Sequence, residues 1–218
     1  DKVNGDALII AASNKLTIST LTFQYNATNV LSTPLILGES GELAISSVTV
    51  TPSSSISNTE RLTITQPVIS LASRITCTIH ATFQRFNLET GHGCAVSANL
   101  SSSTRLTLDT ATSFTNCTSL YGGAIFLSFT DTPTVLSLPA FDFTGCLASN
   151  ANGYGSAVYV HTTSYHYLET FFTTLISSYR AEDTNKYYVE LETASTPVYF
   201  PLNCFVTSPT GHTQETLS

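Results

Sequence analysis

The sequence predicts an all-β protein built as a parallel β-solenoid, and the main observation is a passage that nearly repeats itself. Phe114–Cys117 and Tyr121–Leu127 (FTNC, YGGAIFL) return as Phe143–Cys146 and Tyr154–Val160 (FTGC, YGSAVYV), and the two phenylalanines are 29 residues apart. A fixed period of this size is typical of stacked supersecondary units that bury a core only together. Alternating Leu-x-Leu stretches run into both phenylalanines and predict strands with one face inward.

The period extends in both directions and predicts about six or seven coils, stacked at about 4.8 Å. An apolar residue ends an alternating strand once per coil: Phe23, Val48, Phe83, Phe114, Phe143 and Phe172. The phenylalanines among them are expected to form one internal column. The widest interval precedes Phe83, and the Ser/Thr-rich segment 51–60 has the composition of the longer loop that this interval requires. Gly122 and Gly123 would form a tight corner before the next strand.

The β-helix domain is predicted to span residues 1–200. Tyr187–Leu191 and Val198–Phe200 would supply a final coil or two. Residues 201–218 are polar and punctuated by Pro and Gly, which is typical of a tail or linker.

The composition is low in charge and rich in hydroxyl groups. Charged residues make up 11% of the chain, the formal net charge is −7, and Ser and Thr supply about three residues in ten. Eight Lys and Arg leave no basic footprint for a phosphate backbone, so neither nucleic acid nor an anionic membrane surface is an expected partner. No run of about 18 apolar residues predicts a membrane span.

Three Asn-x-Ser/Thr acceptors indicate a secreted protein, either extracellular or at a cell surface. N-glycans are expected at Asn26 and Asn99, which lie in polar stretches. Asn116 is the third acceptor, at a position where a repeat asparagine can instead point inward and bond the corner. Because the chain contains no Met, we interpret it as a mature or excised portion of a longer secreted protein.

The five cysteines are odd in number, and two of them occupy equivalent places in adjacent repeats. Cys117 and Cys146 would stack about 4.8 Å apart, which falls within the Cα range of a disulfide. A disulfide is the favoured prediction, and a ladder of buried reduced thiols is the alternative. Cys77, Cys94 and Cys204 have no assignable partner.

The paired elements FTNC…YGGAIFL and FTGC…YGSAVYV resemble the polymorphic outer membrane protein repeat. The match covers roughly residues 83–160, although Asn116 becomes Gly145 and Gly123 becomes Ser156 in the second unit. The resemblance implies a right-handed parallel β-helix on a secreted or surface-exposed protein, and it says little about function because fold does not fix function.

Candidate catalytic and metal-binding patterns are incomplete. Asp109 and Asp142 lie on adjacent repeats, but Asp142 aligns with Ser113, so the two carboxyl groups are out of register. His92 and Cys94 lack the remaining ligands of a tetrahedral metal set. The sequence therefore predicts no catalytic residue, no metal and no cofactor.

Tyrosines crowd the later half of the chain. Outward-facing tyrosines could stack on sugars or on a protein partner, whereas inward ones would fill the coil. They are Tyr154, Tyr159, Tyr165, Tyr167, Tyr187 and Tyr188.

These observations favour an extracellular structural or adhesive glycoprotein that is not an enzyme. Repeat rods need capped or covered ends, so the expected partners are other copies of the chain or neighbouring domains, together with covalent glycans. The alternative is a polysaccharide-binding or polysaccharide-cleaving β-helix protein, for which carbohydrate would be the partner.

Overall fold

Short alternating stretches of Val, Ile, Leu, Thr and Phe form strands because they fit a pleated, half-buried surface. The computed structural model describes residues 9–12, 14–25, 32–54, 57, 60–138, 142–150, 155–164, 167, 187–192 and 197–201. The strands in chain order are β1 (Ile9–Ala11), β2 (Lys15–Ser19), β3 (Thr22–Tyr25), β4 (Ile36–Pro52), β5 (Leu62–Ile64), β6 (Ile69–Gln84), β7 (Phe86–His92), β8 (Val96–Leu100), β9 (Arg105–Leu108), β10 (Ser113–Thr115), β11 (Thr118–Tyr121), β12 (Ile125–Phe129), β13 (Val135–Ser137), β14 (Asp142–Thr144), β15 (Leu147–Ala148), β16 (Val158–Thr162), β17 (Tyr187–Glu192) and β18 (Pro197–Pro201).

The strands stack in parallel as a β-solenoid, which confirms the predicted fold class. The first face consists of β1, β8, β12, β16, β17 and the opening segments of the long strands β4 and β6. A second series contains β2, β9 and β13, a third contains β3, β10 and β14, and β5, β7, β11 and β15 form a separate four-stranded sheet. The solenoid has about five turns, slightly fewer than the six or seven predicted.

The internal phenylalanine column is present. Phe83, Phe114 and Phe143 are register partners with ring centroids 5.5 and 5.2 Å apart. On the other side of Phe83 the column continues through Val50 to Phe23, whereas Val48, which the sequence intervals aligned with the phenylalanines, pairs with Ala81. The last predicted phenylalanine of the column, Phe172, lies outside the described residues.

Left-handed backbone turns mark the corners and stack above one another. At the corner that follows the phenylalanine column, Arg85, Asn116 and Gly145 all have positive φ, between 54° and 65°. The N–H of Arg85 donates to the carbonyl of Thr115 at 2.9 Å, so the corners of successive coils are joined directly. The predicted corner at Gly122 is also confirmed, with a φ of 64°.

The long loop after β4 is fastened to the corner of the next coil. The guanidinium of Arg85 donates to the carbonyls of Ser57 at 2.7 Å and Pro52 at 3.4 Å. Residues 55, 56, 58 and 59 of the predicted 51–60 loop lie outside the described residues.

The C-terminal strands depart from the predicted pattern. β17 continues the first face in parallel, but β18 runs back antiparallel to it, with Val198 opposite Leu191. Val198–Phe200 therefore does not begin another parallel coil. Pro201, the first residue of the predicted tail, is the last residue of β18. Residues 202–218 lie outside the described part of the chain.

We predict that Gly145→Ala destabilises the fold by more than about 1–2 kcal/mol, which is the strain of an L side chain at positive φ. The added Cβ would also clash with Oδ1 of Asn116. Chemical denaturation measures the cost. In an Asn116→Gly background the clash is absent, so the cost of Gly145→Ala should fall to the backbone contribution. An equal cost in both backgrounds would show that the side-chain clash is unimportant.

Candidate binding surfaces

Two columns of register positions on the outside of the solenoid consist mostly of hydroxyl-bearing residues, and we call them the hydroxyl face. Each column has five register positions, and the two lie on the second and third strand series. Eight of the ten positions are Ser or Thr, and only Asp142 is a charged residue type. The columns are Thr17, Ala44, Thr78, Thr107 and Ser137, and Thr22, Thr49, Thr82, Ser113 and Asp142.

The hydroxyl face arises from strand alternation. Ile79 and Phe83, which follow Thr78 and Thr82 on β6, are buried, so Thr78 and Thr82 face outward. The half-buried His80 lies between the two columns. Hydroxyl groups also bond between coils, since Ser113 Oγ donates to Thr82 Oγ1 at 3.3 Å. An exposed ion pair between Lys15 and Glu42 lies in the neighbouring outward column.

A second surface feature is a group of four rings, which we call the aromatic cluster: His92, Tyr121, Phe126 and Tyr159. The ring centroid of Tyr159 lies 5.3 Å from Phe126, 5.0 Å from Tyr121 and 5.1 Å from His92. His92, Tyr121 and Phe126 are half-buried, whereas Tyr159 is only 4% exposed. The sequence did not decide whether Tyr159 faces inward or outward, and the structure shows that it packs in this cluster.

The aromatic cluster forms where two columns meet. His92 and Tyr121 are register partners at the corner of the small sheet, and Phe126 and Tyr159 are register partners on the first face. Glycine lets the corner approach the next coil, because a Cβ on Gly122 would lie 2.8 Å from Cβ of Tyr159. The YGGAIF segment therefore places one ring before the corner and another just after it.

The environment of His92 disfavours its charged form. Burial and the nearby His161 lower the pKa of His92 below its ordinary value. Nδ1 of His92 is buried and has no hydrogen-bond partner. His161 is in turn the register partner of Glu190 on β17.

The cysteines stack as predicted, but the disulfide is not formed. Cys117 and Cys146 sit at equivalent positions of paired coils, and both are free thiols, which is the arrangement of the alternative thiol ladder. A stacked Cα spacing permits a disulfide but does not provide the required Cβ–S–S–Cβ geometry. Cys94 and Cys77 are also buried free thiols, and Cys204 lies outside the described residues.

Burial suppresses thiolate formation in the thiol ladder and at Cys77, and mutual contact adds to the effect within the ladder. Contact with the Cys117 thiol and burial raise the pKa of Cys146. Burial alone raises the pKa of Cys77 to about 12. Cys77 occupies the column of Leu43 and Leu106, so it packs as a small apolar residue.

The three glycosylation acceptors have different surroundings. Asn99 is exposed on β8, whereas Asn26 lies outside the described residues. Asn116 is partly buried at its left-handed corner, and its carbonyl accepts a hydrogen bond of 3.0 Å from Nε of Arg61. The hydroxyl of Thr118, the third residue of that acceptor, is buried.

Asp109 and Asp142 do not occupy equivalent positions of their two coils. Asp142 pairs with Ser113, as the sequence predicted, so it is out of register with Asp109. The Asp109 carboxylate accepts from the backbone N–H of Ala111 at 2.9 Å, and this bond lowers its pKa. Within the described ranges, no group of three or more His, Cys, Asp or Glu residues is arranged to hold a metal ion. No helix found there is long and apolar enough to cross a membrane.

The sequence did not identify Arg61 or the aromatic cluster. Arg61 donates to the carbonyls of Asn116 and Gly145, and so links two stacked corners. Its only sequence signal is an isolated cation before β5. The ring residues were visible individually, but their contact depends on how the corner folds over the next coil.

Comparison with known proteins gives no match to any family model, curated protein or solved structure. The resemblance to the polymorphic outer membrane protein repeat stays a prediction.

We predict that the protein loses stability on acidification partly through His92. Because the pKa of His92 is lowered in the folded state, the unfolded chain binds a proton first as the pH falls through about 6.5. His92→Phe keeps a ring and should flatten the dependence of Tm on pH between about 7.5 and 5.5. His80→Gln is the matched control and should leave the His92 contribution in place. Equal pH dependence of the wild type and His92→Phe would contradict this assignment.

We also predict that Cys77, Cys117 and Cys146 resist alkylation in the folded protein, because they are buried and their pKa values are raised. Pulsed iodoacetamide labelling with peptide mass spectrometry should modify them at the rate of unfolding. All five cysteines should react in concentrated guanidinium chloride. Rapid labelling of Cys117 in the folded protein would overturn the prediction.

Proposed function

We propose that the chain is an extracellular structural or adhesive glycoprotein, a β-solenoid rod that assembles with other copies or neighbouring domains into a fibre or larger surface structure. The observation that carries the proposal is the hydroxyl face, with eight Ser or Thr among ten stacked positions.

Such a face suits repeated contact rather than capture of one small molecule. Thr is β-branched and stiff at χ1, so ordering its side chain at an interface costs little entropy. Each coil presents similar groups about 4.8 Å further along the axis, so weak contacts add along the length of the rod.

The electrostatics also favour close approach between rods. Charged residues are 11% of the chain, and across the two columns only Asp142 is a charged residue type. Little like-charge repulsion therefore opposes packing of two such faces.

The test is self-association measured by sedimentation velocity and electron microscopy over a range of concentrations. Thr22→Lys combined with Thr78→Lys adds two charges to exposed positions of the hydroxyl face. We expect this variant to associate at least about tenfold more weakly than the wild type, a difference of about 1.4 kcal/mol. Thr63→Lys with Gln66→Lys adds the same charge at exposed positions elsewhere and should associate like the wild type.

A monomeric wild type at every concentration would overturn self-assembly. Equal weakening by the two double variants would show that net charge, rather than the hydroxyl face, controls association.

A second candidate function is polysaccharide binding, and the aromatic cluster is the observation that favours it. Half-buried rings such as Phe126 and Tyr121 can stack on the apolar face of a sugar. Sedimentation of the protein with insoluble polysaccharides tests this candidate, and binding should weaken in Phe126→Leu.

A further inference from the structure

The ring stack of the aromatic cluster stops abruptly on the first face. Phe126 and Tyr159 stack with an interplanar angle of 25°, and their column continues to Ser97 on β8. A serine therefore stands where the next two coils carry rings. The small side chain of Ser97 therefore leaves a step at the end of the ring stack, next to Phe126. His92 borders this step on the side of the corner, and its ring centroid lies 5.2 Å from that of Phe126.

A glycosylation acceptor stands next to this step. Asn99 lies two residues after Ser97 on the same strand and on the same outward side, and it is exposed. Its register partner is Ser128, which is small as well. From strand geometry, Asn99 and Phe126 are diagonal neighbours about 8 Å apart at Cβ, a distance that one side chain and one sugar ring can span.

We propose that the first sugar of an N-glycan on Asn99 docks over Ser97 and stacks on Phe126, continuing the ring column of the aromatic cluster. The inference rests on the proposed function, because it requires the chain to be a glycoprotein. It assigns the chain's own glycan, rather than a free polysaccharide, as the occupant of this surface.

Two physical arguments favour this occupant. The C–H face of a sugar ring packs on an aromatic face, and Phe126 remains half-buried rather than covered. The covalent link to Asn99 also gives the sugar a high effective concentration at the ring, so a weak stacking contact is enough to hold it.

Asn116 does not offer the same arrangement. Its backbone is left-handed, and a Cβ on Gly145 would meet its Oδ1, so its amide lies against the next corner. Asn99 is thus the described acceptor that combines exposure with a neighbouring ring.

The experiment uses protein from a glycosylating host, with isotope-labelled N-acetyl groups observed by NMR and with glycopeptide mass spectrometry at Asn99. We expect an upfield ring-current shift of the Asn99 N-acetyl methyl signal in the wild type and in Phe126→Tyr. Phe126→Leu keeps apolar bulk without a ring and should lose the shift. Asn26→Gln removes another acceptor and should leave it unchanged.

Thermal stability gives a second readout. Asn99→Gln should lower Tm by roughly 2–4 °C in the wild-type background, the size expected for about 1 kcal/mol in a chain of this length. The same change in a Phe126→Leu background should have almost no effect, because the stacking contact is already lost.

The failures are distinguishable. An occupied Asn99 with no ring-current shift and no coupling to Phe126 would overturn glycan docking but leave the glycoprotein proposal standing. An unoccupied Asn99 would overturn docking and count against the glycoprotein proposal itself. Tight, Phe126-dependent binding of a free oligosaccharide to Asn99→Gln protein, without glycan docking in the wild type, would assign the aromatic cluster to an external sugar.

Discussion

The in-register stacking of corner residues is the constraint on which the rest of the molecule depends. Arg85, Asn116 and Gly145 turn the chain at equivalent points of successive coils, and the N–H of Asn116 donates to the carbonyl of Thr144 at 2.8 Å. Side chains alternate with a period of two along a strand, so a slip of one residue would exchange the inner and outer faces of a coil. The stacked corners prevent that slip, and Arg61 adds two hydrogen bonds to the corner carbonyls.

Once the register is fixed, the side chain at one repeat position becomes a column. The same rule produces the buried phenylalanines, the thiol ladder, the hydroxyl face and the ring stack. A chemical property of one side chain is therefore repeated along the axis. One exposed Thr offers a single hydroxyl group, whereas five stacked register positions form an extended surface. The outer surface of such a fold is therefore described by its columns and by the positions where they are interrupted, as at Ser97.

Much of the fold was predictable because period and alternation are local properties of the sequence. The Phe83–Phe114–Phe143 column followed from the repeat interval together with the alternating strands that end at each phenylalanine. The intervals aligned Val48 with these phenylalanines wrongly, and Val50 takes the place. Val48 and Val50 are two residues apart and both buried, so alternation alone does not distinguish between them. Contacts between columns could not be predicted in the same way. The aromatic cluster requires the corner to fold close over the neighbouring coil, and the thiol geometry depends on side-chain directions that a Cα spacing does not fix.

The hydroxyl face and Asn99 lie on different strand series, and this separation has a physical consequence. A glycan on β8 would be bulky and hydrated, so it would oppose lateral packing on the first face. The hydroxyl face, formed on β2, β3 and the strands stacked on them, would remain open to a partner. Docking of that glycan on Phe126 would hold it against its own face and limit the volume it sweeps. The position of the glycan on β8 would thereby direct contact between rods to the hydroxyl face, while the residues of that face stay the same.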